Sequence, residues 1–191
     1  MPDREFLILS ATEPDRAGLV ADLTAYIAER HCNVEDSRIV VLGGYAGLMF
    51  LLSGPPEGVQ AVIDGLEQLR ERSRIRAIPR RVAARRPAEG PGLARYAIEA
   101  SAIDREGLVH TLADLVRRLG GNILELETST ESAPMSGEPL FAMRMLVTLA
   151  EGGGAAERFE RELERLAQAE AMDLELRRLD RAAKLPSLSQ G

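Results

Sequence analysis

The residues best suited to chemistry form a short pattern that occurs twice. Residues 15–23 read D-R-A-G-L-V-A-D-L and residues 104–112 read D-R-E-G-L-V-H-T-L, an offset of 89 that Asn33 and Asn122 repeat. In each copy a carboxylate (Asp15, Asp104) and a guanidinium (Arg16, Arg105) precede a glycine (Gly18, Gly107). A leucine (Leu19, Leu108) then opens an apolar stripe at helical spacing. A loop turning into a helix start presents unpaired backbone N–H groups at the positive end of the helix dipole, so each copy offers donors and a carboxylate side by side. Asp15 and Asp104 then have two readings: they cap their helices, a contribution of about 1 kcal/mol, or they contact a ligand. The glycines lower helix propensity and permit close backbone approach. Asn33 and Asn122 stand where the amphipathic segment has ended and an apolar run begins, and their simplest role is that of turn residues tolerant of left-handed geometry.

The elements that must position these loops follow the same order in both halves. Residues 6–9 read as a buried strand ending at 10–12, followed by a loop over 13–16 and a helix over about 17–30. A strand over 34–42, a Gly43-Gly44 hairpin turn and a strand over 46–53 come next, the last apolar on both faces and therefore central. Pro55-Pro56 opens a second helix with Val59, Val62, Ile63, Leu66 and Leu69 on one stripe, and residues 74–80 read as an edge strand. The second half repeats the plan, with strands over 96–103, 123–130, 140–149 and 172–180 and helices over 107–119 and about 154–171. Its hairpin, residues 131–139, is long and polar. The order βαββαβ in each half predicts an α+β protein of two tandem ferredoxin-like units with antiparallel sheets. The divisions are residues 1–83, a Pro/Gly-rich linker over 84–92, residues 93–180, and a tail over 181–191 with little to bury.

Composition narrows the function. At 45% hydrophobic and 28% charged residues the chain reads as an ordinary globular protein, its longest apolar run is far too short to span a bilayer, and its start lacks a secretory pattern, so a cytoplasmic protein is expected. The one cysteine, Cys32, excludes an intrachain disulfide. A net charge of -6 argues against nucleic acid as a direct partner. Eight arginines between Arg70 and Arg86 nevertheless crowd the end of the first half, a cluster suited to phosphate or an acidic partner or else a solvated strand edge, and no aromatic residue interleaves with them.

No catalytic or metal-binding set emerges, and no cofactor is expected. His31 and Cys32 align with Gly120 and Gly121 of the repeat, which places His31 at a helix-ending turn where it substitutes for glycine at positive φ. No further cysteine or spaced histidine completes a ligand set, His110 falls on an exposed first turn, and neither phosphate-loop nor dinucleotide glycine patterns occur.

The βαββαβ order, with D-R-x-G-L-V opening the first helix and Asn opening the second strand, resembles the ACT domain, a small-molecule regulatory module. The run N-V-E-D-S-R at 33–38 and L-L-S-G at 51–54 strengthen the likeness, which covers nearly the whole chain to about residue 180. The resemblance implies that an amino acid, with glycine a leading candidate, is bound where domains pair. By position it would touch Asp15, Arg16, Gly18 and Leu19 with Asn33, and Asp104, Arg105, Gly107 and Leu108 with Asn122. The chemistry agrees, since a zwitterion needs N–H donors for its carboxylate and carbonyl or carboxylate acceptors for its ammonium. The proline common before the glycine in this family is replaced by Ala17 and Glu106, and the added charge of Glu106 sets the two copies apart. Two such domains without an enzyme domain imply a non-enzymatic regulator of gene expression in glycine and one-carbon metabolism. It would act as a homodimer through a protein partner such as a transcription activator. The competing expectation is a regulatory subunit, or a relative of the ACT segment of an amino-acid- or formyltetrahydrofolate-metabolising enzyme.

Overall fold

In the first strand Leu7, Leu9 and Ala11 are buried and the residues between them are not, the period of a strand with one fully covered face. The computed structural model describes residues 4–83, 92–132 and 137–179. The predicted tail, the linker apart from Gly92, and the middle of the predicted long hairpin lie outside the described residues.

The chain divides into two compact units after the fourth strand. The first holds β1 (Glu5–Pro14), α1 (Leu19–Ala28), β2 (Asn33–Leu42), β3 (Tyr45–Gly54), α2 (Pro56–Asp64), α3 (Leu66–Ser73) and β4 (Ala77–Val82). The second holds β5 (Leu93–Ile103), α4 (Leu108–Arg118), β6 (Asn122–Ser132), β7 (Pro139–Ala150), α5 (Ala155–Ala169) and β8 (Asp173–Leu179). The strand orders are β2-β3-β1-β4 and β6-β7-β5-β8, antiparallel throughout. This is the α+β arrangement expected from the element order, with β3 central and β4 at an edge.

Each unit buries one face of its sheet under its own helices. Leu23 and Ile27 of α1 and Val59 and Val62 of α2 close over Leu7, Leu9, Phe50 and Leu52; in the second unit Leu112 and Val116 of α4 and Phe159 and Leu163 of α5 close over Ile98, Met143, Met145 and Val147. Each such aliphatic or aromatic side chain contributes about 1.5–3 kcal/mol on burial. Tyr96 and Phe159 add a tilted ring pair at 5.9 Å.

The structure corrects several expected boundaries. β1 runs on through Glu13 and Pro14, expected in the loop, because both pair with the start of β3 opposite Ala46 and Tyr45. The helix expected from Ala17 starts at Leu19. The single helix expected after Pro56 is two, broken at Gly65. The Tyr26 hydroxyl donates to the Val62 carbonyl at 2.6 Å and Arg30 Nε to the Ala61 carbonyl at 3.1 Å, so side chains from earlier in the chain meet the last carbonyls of α2. A Cβ at position 65 would lie 2.8 Å from that hydroxyl. The last strand of the first unit begins at Ala77, since Arg74 ends α3 at φ 61. Glu131, Ser132 and Pro139, expected in a hairpin loop, belong to β6 and β7.

The repeat extends to irregularities. Both second strands bulge one residue after their first pairs, between Val34 and Asp36 and between Ile123 and Glu125. His31 stands at φ 56 where Gly120 stands at φ 74. The outer strands differ: Ile39, Val40, Val41 and Leu42 of β2 are 47–69% exposed, whereas the matching residues of β6 are Thr128, Ser129, Thr130 and Glu131.

Cys32 is buried and free, and a Cβ at Gly54 would come within 2.7 Å of its Sγ. Gly54→Ala should therefore cost about 1–3 kcal/mol by overpacking. Adding Cys32→Ala should restore most of that loss, as read from urea denaturation midpoints; an equal loss in the double variant would place the strain elsewhere.

Candidate functional site

Gly18 and Gly107 are the residues on which the two loops turn. Each is the N-cap of its helix at positive φ, 82° and 90°, a backbone region costly for any residue with a Cβ. Space is not the reason for glycine: a Cβ at Gly18 would meet nothing nearer than 3.8 Å, and one at Gly107 nothing within 4 Å. Within the chain itself the glycines answer a conformational requirement.

The structure also decides between the readings of the aspartates. Neither helix start has a side-chain cap, so Asp15 and Asp104 do not cap α1 and α4. They are held by their backbones instead: Asp15 N–H donates to the Gly44 carbonyl at 2.9 Å and Asp104 N–H to the Pro139 carbonyl at 2.9 Å. Both carboxylates stand in solvent beside a first helical turn that lacks intrahelical acceptors for its N–H groups.

The arginines are occupied. Arg16 Nη2 donates to Asp22 Oδ2 at 2.7 Å and to the Ser73 carbonyl, at the end of α3, at 2.8 Å. Arg105 pairs with the Glu170 carboxylate and reaches the Glu170 carbonyl at 3.3 Å, at the C-cap of α5. In both copies the guanidinium binds the electronegative end of the unit's last helix and pins the loop to it. Sequence reasoning assigned these arginines to a ligand and missed the clasp, because the acceptors are main-chain carbonyls far along the chain.

The asparagines do not join the loops within a unit. Asn33 pairs opposite Ser53, level with Phe6, whereas Asp15 follows the far end of the same strand. About nine residues at about 3.3 Å each separate them, roughly 30 Å. Asn122, opposite Thr148 and level with Arg95, stands in the same relation to Asp104. Around Asn33 the first unit builds a polar cluster: Asn33 Nδ2 donates to Glu35 Oε1 at 3.2 Å, Ser53 Oγ donates to the same oxygen, and Arg4 lies 3.6 Å from it. The Ser53 hydroxyl first, then the Asn33 amide, hold the Glu35 carboxyl below its ordinary pKa of 4.5. In the second unit the matching position is Leu124.

A feature that sequence reasoning did not find lies beside the second loop. Ala102, Leu140, Ala167, Ala171 and Met172, with Ser101, Gln168 and Asp173, line an open depression of about 450 Å³. In the first unit the matching place is filled by Glu13, whose carboxylate accepts from Arg76 N–H at 2.5 Å. The signal was present in the alignment of the halves: Glu13 against Ala102, and Arg70, Arg72, Arg74 and Arg76 against Ala167, Ala169, Ala171 and Asp173.

Among the described residues no group of three His, Cys, Asp or Glu side chains is placed to hold a metal ion, and no helix is long and apolar enough to cross a membrane.

Comparison with known proteins agrees with the fold and with the loops. Residues 5–77 match the model of the ACT domain. The match falls within the first unit and the second repeats its topology and its loop, so the fold is that of two tandem ACT-like domains. In particular it resembles the glycine cleavage system transcriptional repressor of Escherichia coli strain K12. The two are 27% identical over 134 residues, 70% of this chain and 69% of that one, and the figures are the same for the Shigella flexneri repressor. Among solved structures, a protein of unknown function from Galdieria sulphuraria superposes with a TM-score of 0.80 at 25% identity, covering 93% of this chain and all of the other. A candidate glycine cleavage system transcriptional repressor superposes at 0.68 and 19% identity, covering 92% and 98%, a likeness of fold.

Because the Glu35 carboxyl titrates lower in the folded chain, its contribution to stability is present above the unfolded pKa and is lost as pH falls through the depressed folded value. Glu35→Gln should be less stable than the parent at neutral pH, and the gap should close below pH 4.5. Thermal melts of both proteins across an acid series check this, and a gap that persists in acid would show that the carboxylate's charge is not the cause.

Proposed function

We propose that the protein is a non-enzymatic regulator that senses an amino acid, glycine first, and passes its state to a protein partner controlling genes of glycine and one-carbon metabolism. The observation that carries this reading is the twice-built loop. Glycine at positive φ starts an uncapped helix, an arginine clasp fixes the loop, and an exposed aspartate beside the first-turn N–H groups is left without a structural task. A zwitterion fits that arrangement, its carboxylate on the N–H groups around Leu19 or Leu108 and its ammonium on Asp15 or Asp104. Arg16 and Arg105 act as positioning residues in this scheme. The likeness to the glycine cleavage system repressor supports glycine and gene regulation as the context.

Within one unit Asn33 or Asn122 is too far from the loop to share a small ligand with it. In this reading each asparagine completes a site with a loop from outside its own unit, where two such domains pair, and the regulator works as a homodimer. The apolar outer strand β2 supports such self-association. A ligand that bridges two copies stabilises one assembly over the alternatives by its differential affinity.

Calorimetric titration with glycine, serine and a panel of other amino acids should give saturable heat that Asp15→Ala or Asp104→Ala abolishes, the sensitive variant marking the working copy. Absence of heat from every amino acid, in chain shown to be folded by circular dichroism, would overturn the sensor reading.

A further inference from the structure

We propose that the turn joining α3 to β4 in the first unit is a docking surface for an acidic segment of a partner protein. Arg72, Arg74 and Arg76 are exposed around that turn, and among the described residues none of their side chains makes a hydrogen bond or ion pair. Four other arginines of the unit are paired, Arg4 with Glu35, Arg16 with Asp22, Arg70 with Glu67 and Arg81 with Glu5, while Arg80, on β4, is exposed like the three of the turn. Three guanidiniums on one short turn repel one another, and although the Glu13 carboxylate accepts from the Arg76 backbone N–H, no carboxylate among the described residues pairs with their side chains. The second unit makes the same turn, left-handed at Ala171 as at Arg74, with Ala169, Ala171 and Asp173 in the matching positions. Nor does the helix end demand cations, since the last turn of α5 contains none.

The chemistry of the patch selects the partner. Guanidiniums bind carboxylates through paired, charge-assisted hydrogen bonds, and a local cationic surface on a chain of net charge -6 attracts an acidic partner to it. Residues 66–82 contain no aromatic side chain on which a base could stack, which favours a protein segment over nucleic acid.

The surface is wired to the ligand loop. Arg16, inside the D-R-A-G-L-V motif, donates to the Ser73 carbonyl between Arg72 and Arg74, and Glu13, just before the motif, accepts from Arg76 N–H. A change in the loop therefore moves the two anchors of the arginine turn. This link rests on the sensor reading above; the docking surface itself does not.

Full-length protein, its fold checked by circular dichroism, should bind a fluorescein-labelled oligoglutamate peptide at low salt by fluorescence anisotropy. Arg72→Gln/Arg76→Gln should weaken binding by about fivefold, while Arg158→Gln/Arg161→Gln, which removes the same charge from exposed positions on α5, should leave it unchanged. Equal weakening by both pairs would reduce the effect to overall charge, and no peptide binding would remove the surface altogether; either result overturns the proposal. Tighter binding of a DNA duplex with the same dependence on Arg72 and Arg76 would also overturn it, assigning the patch to nucleic acid. Glycine titration of the same samples keeps the two readings apart, since heat retained in Arg72→Gln/Arg76→Gln leaves the sensor standing whatever the peptide does.

Discussion

An arginine reaching from the first loop to the C-terminal end of the unit's last helix closes each unit. The βαββαβ chain path leaves two places where the backbone must change direction at the same end of the sheet, one entering the first helix and one leaving the second. Arg16 and Arg105 tie these two turns together, using the partial negative charge that a helix end presents without further cost. Glycine at positive φ makes the reach possible, because it turns the chain sharply enough for the arginine two residues earlier to face the opposite helix. The rest of the candidate site, including the exposed aspartate and the free first-turn N–H groups, depends on that fixed geometry.

The two copies keep this frame and vary what surrounds it. Beside the first loop stand Glu13 and a run of arginines; beside the second stand Ala102, a set of alanines and a shallow apolar depression. Around Asn33 the first unit has Glu35, Ser53 and Arg4 in contact, while the second has Leu124 where Glu35 would be. Small exchanges follow the same rule. Cys32 fills space over Gly54, and Gly121, which aligns with it, lies so near Val116 and Leu149 that a Cβ would sit within 2.8 Å of one and 3.0 Å of the other. Backbone requirements were held constant through the repeat, and side-chain chemistry was free to diverge.

That division also explains what could be read from the sequence. The element order, the central third strand, the edge fourth strand and the positive φ of His31 were legible because each is written locally, in periodicity or in the alignment of the halves. The break at Gly65 was not, because the side chains packed against it, Tyr26 and Arg30, come from far earlier in the chain. The same is true of the arginine clasp, whose acceptors at the end of the last helix lie far along the chain. The separation of Asp15 from Asn33 is a matter of topology: a helix returning along a sheet puts its two ends at opposite edges, so residues close in sequence are remote in space. The depression in the second unit required knowing which missing side chains face one another.

The apolar outer strand of the first unit has a consequence for how the protein behaves in bulk. Two strand edges bound each sheet, but only β2 couples unpaired main-chain groups to four consecutive exposed aliphatic residues, and its counterpart carries hydroxyls and a carboxylate. Solubility is thus not shared evenly along the chain. It is limited by ten residues in the half synthesised first, which emerge with their edge bare before the other half exists. Substitutions that add charge on that one ribbon should therefore change the concentration at which the folded chain stays dispersed more than the same charge placed elsewhere on its surface.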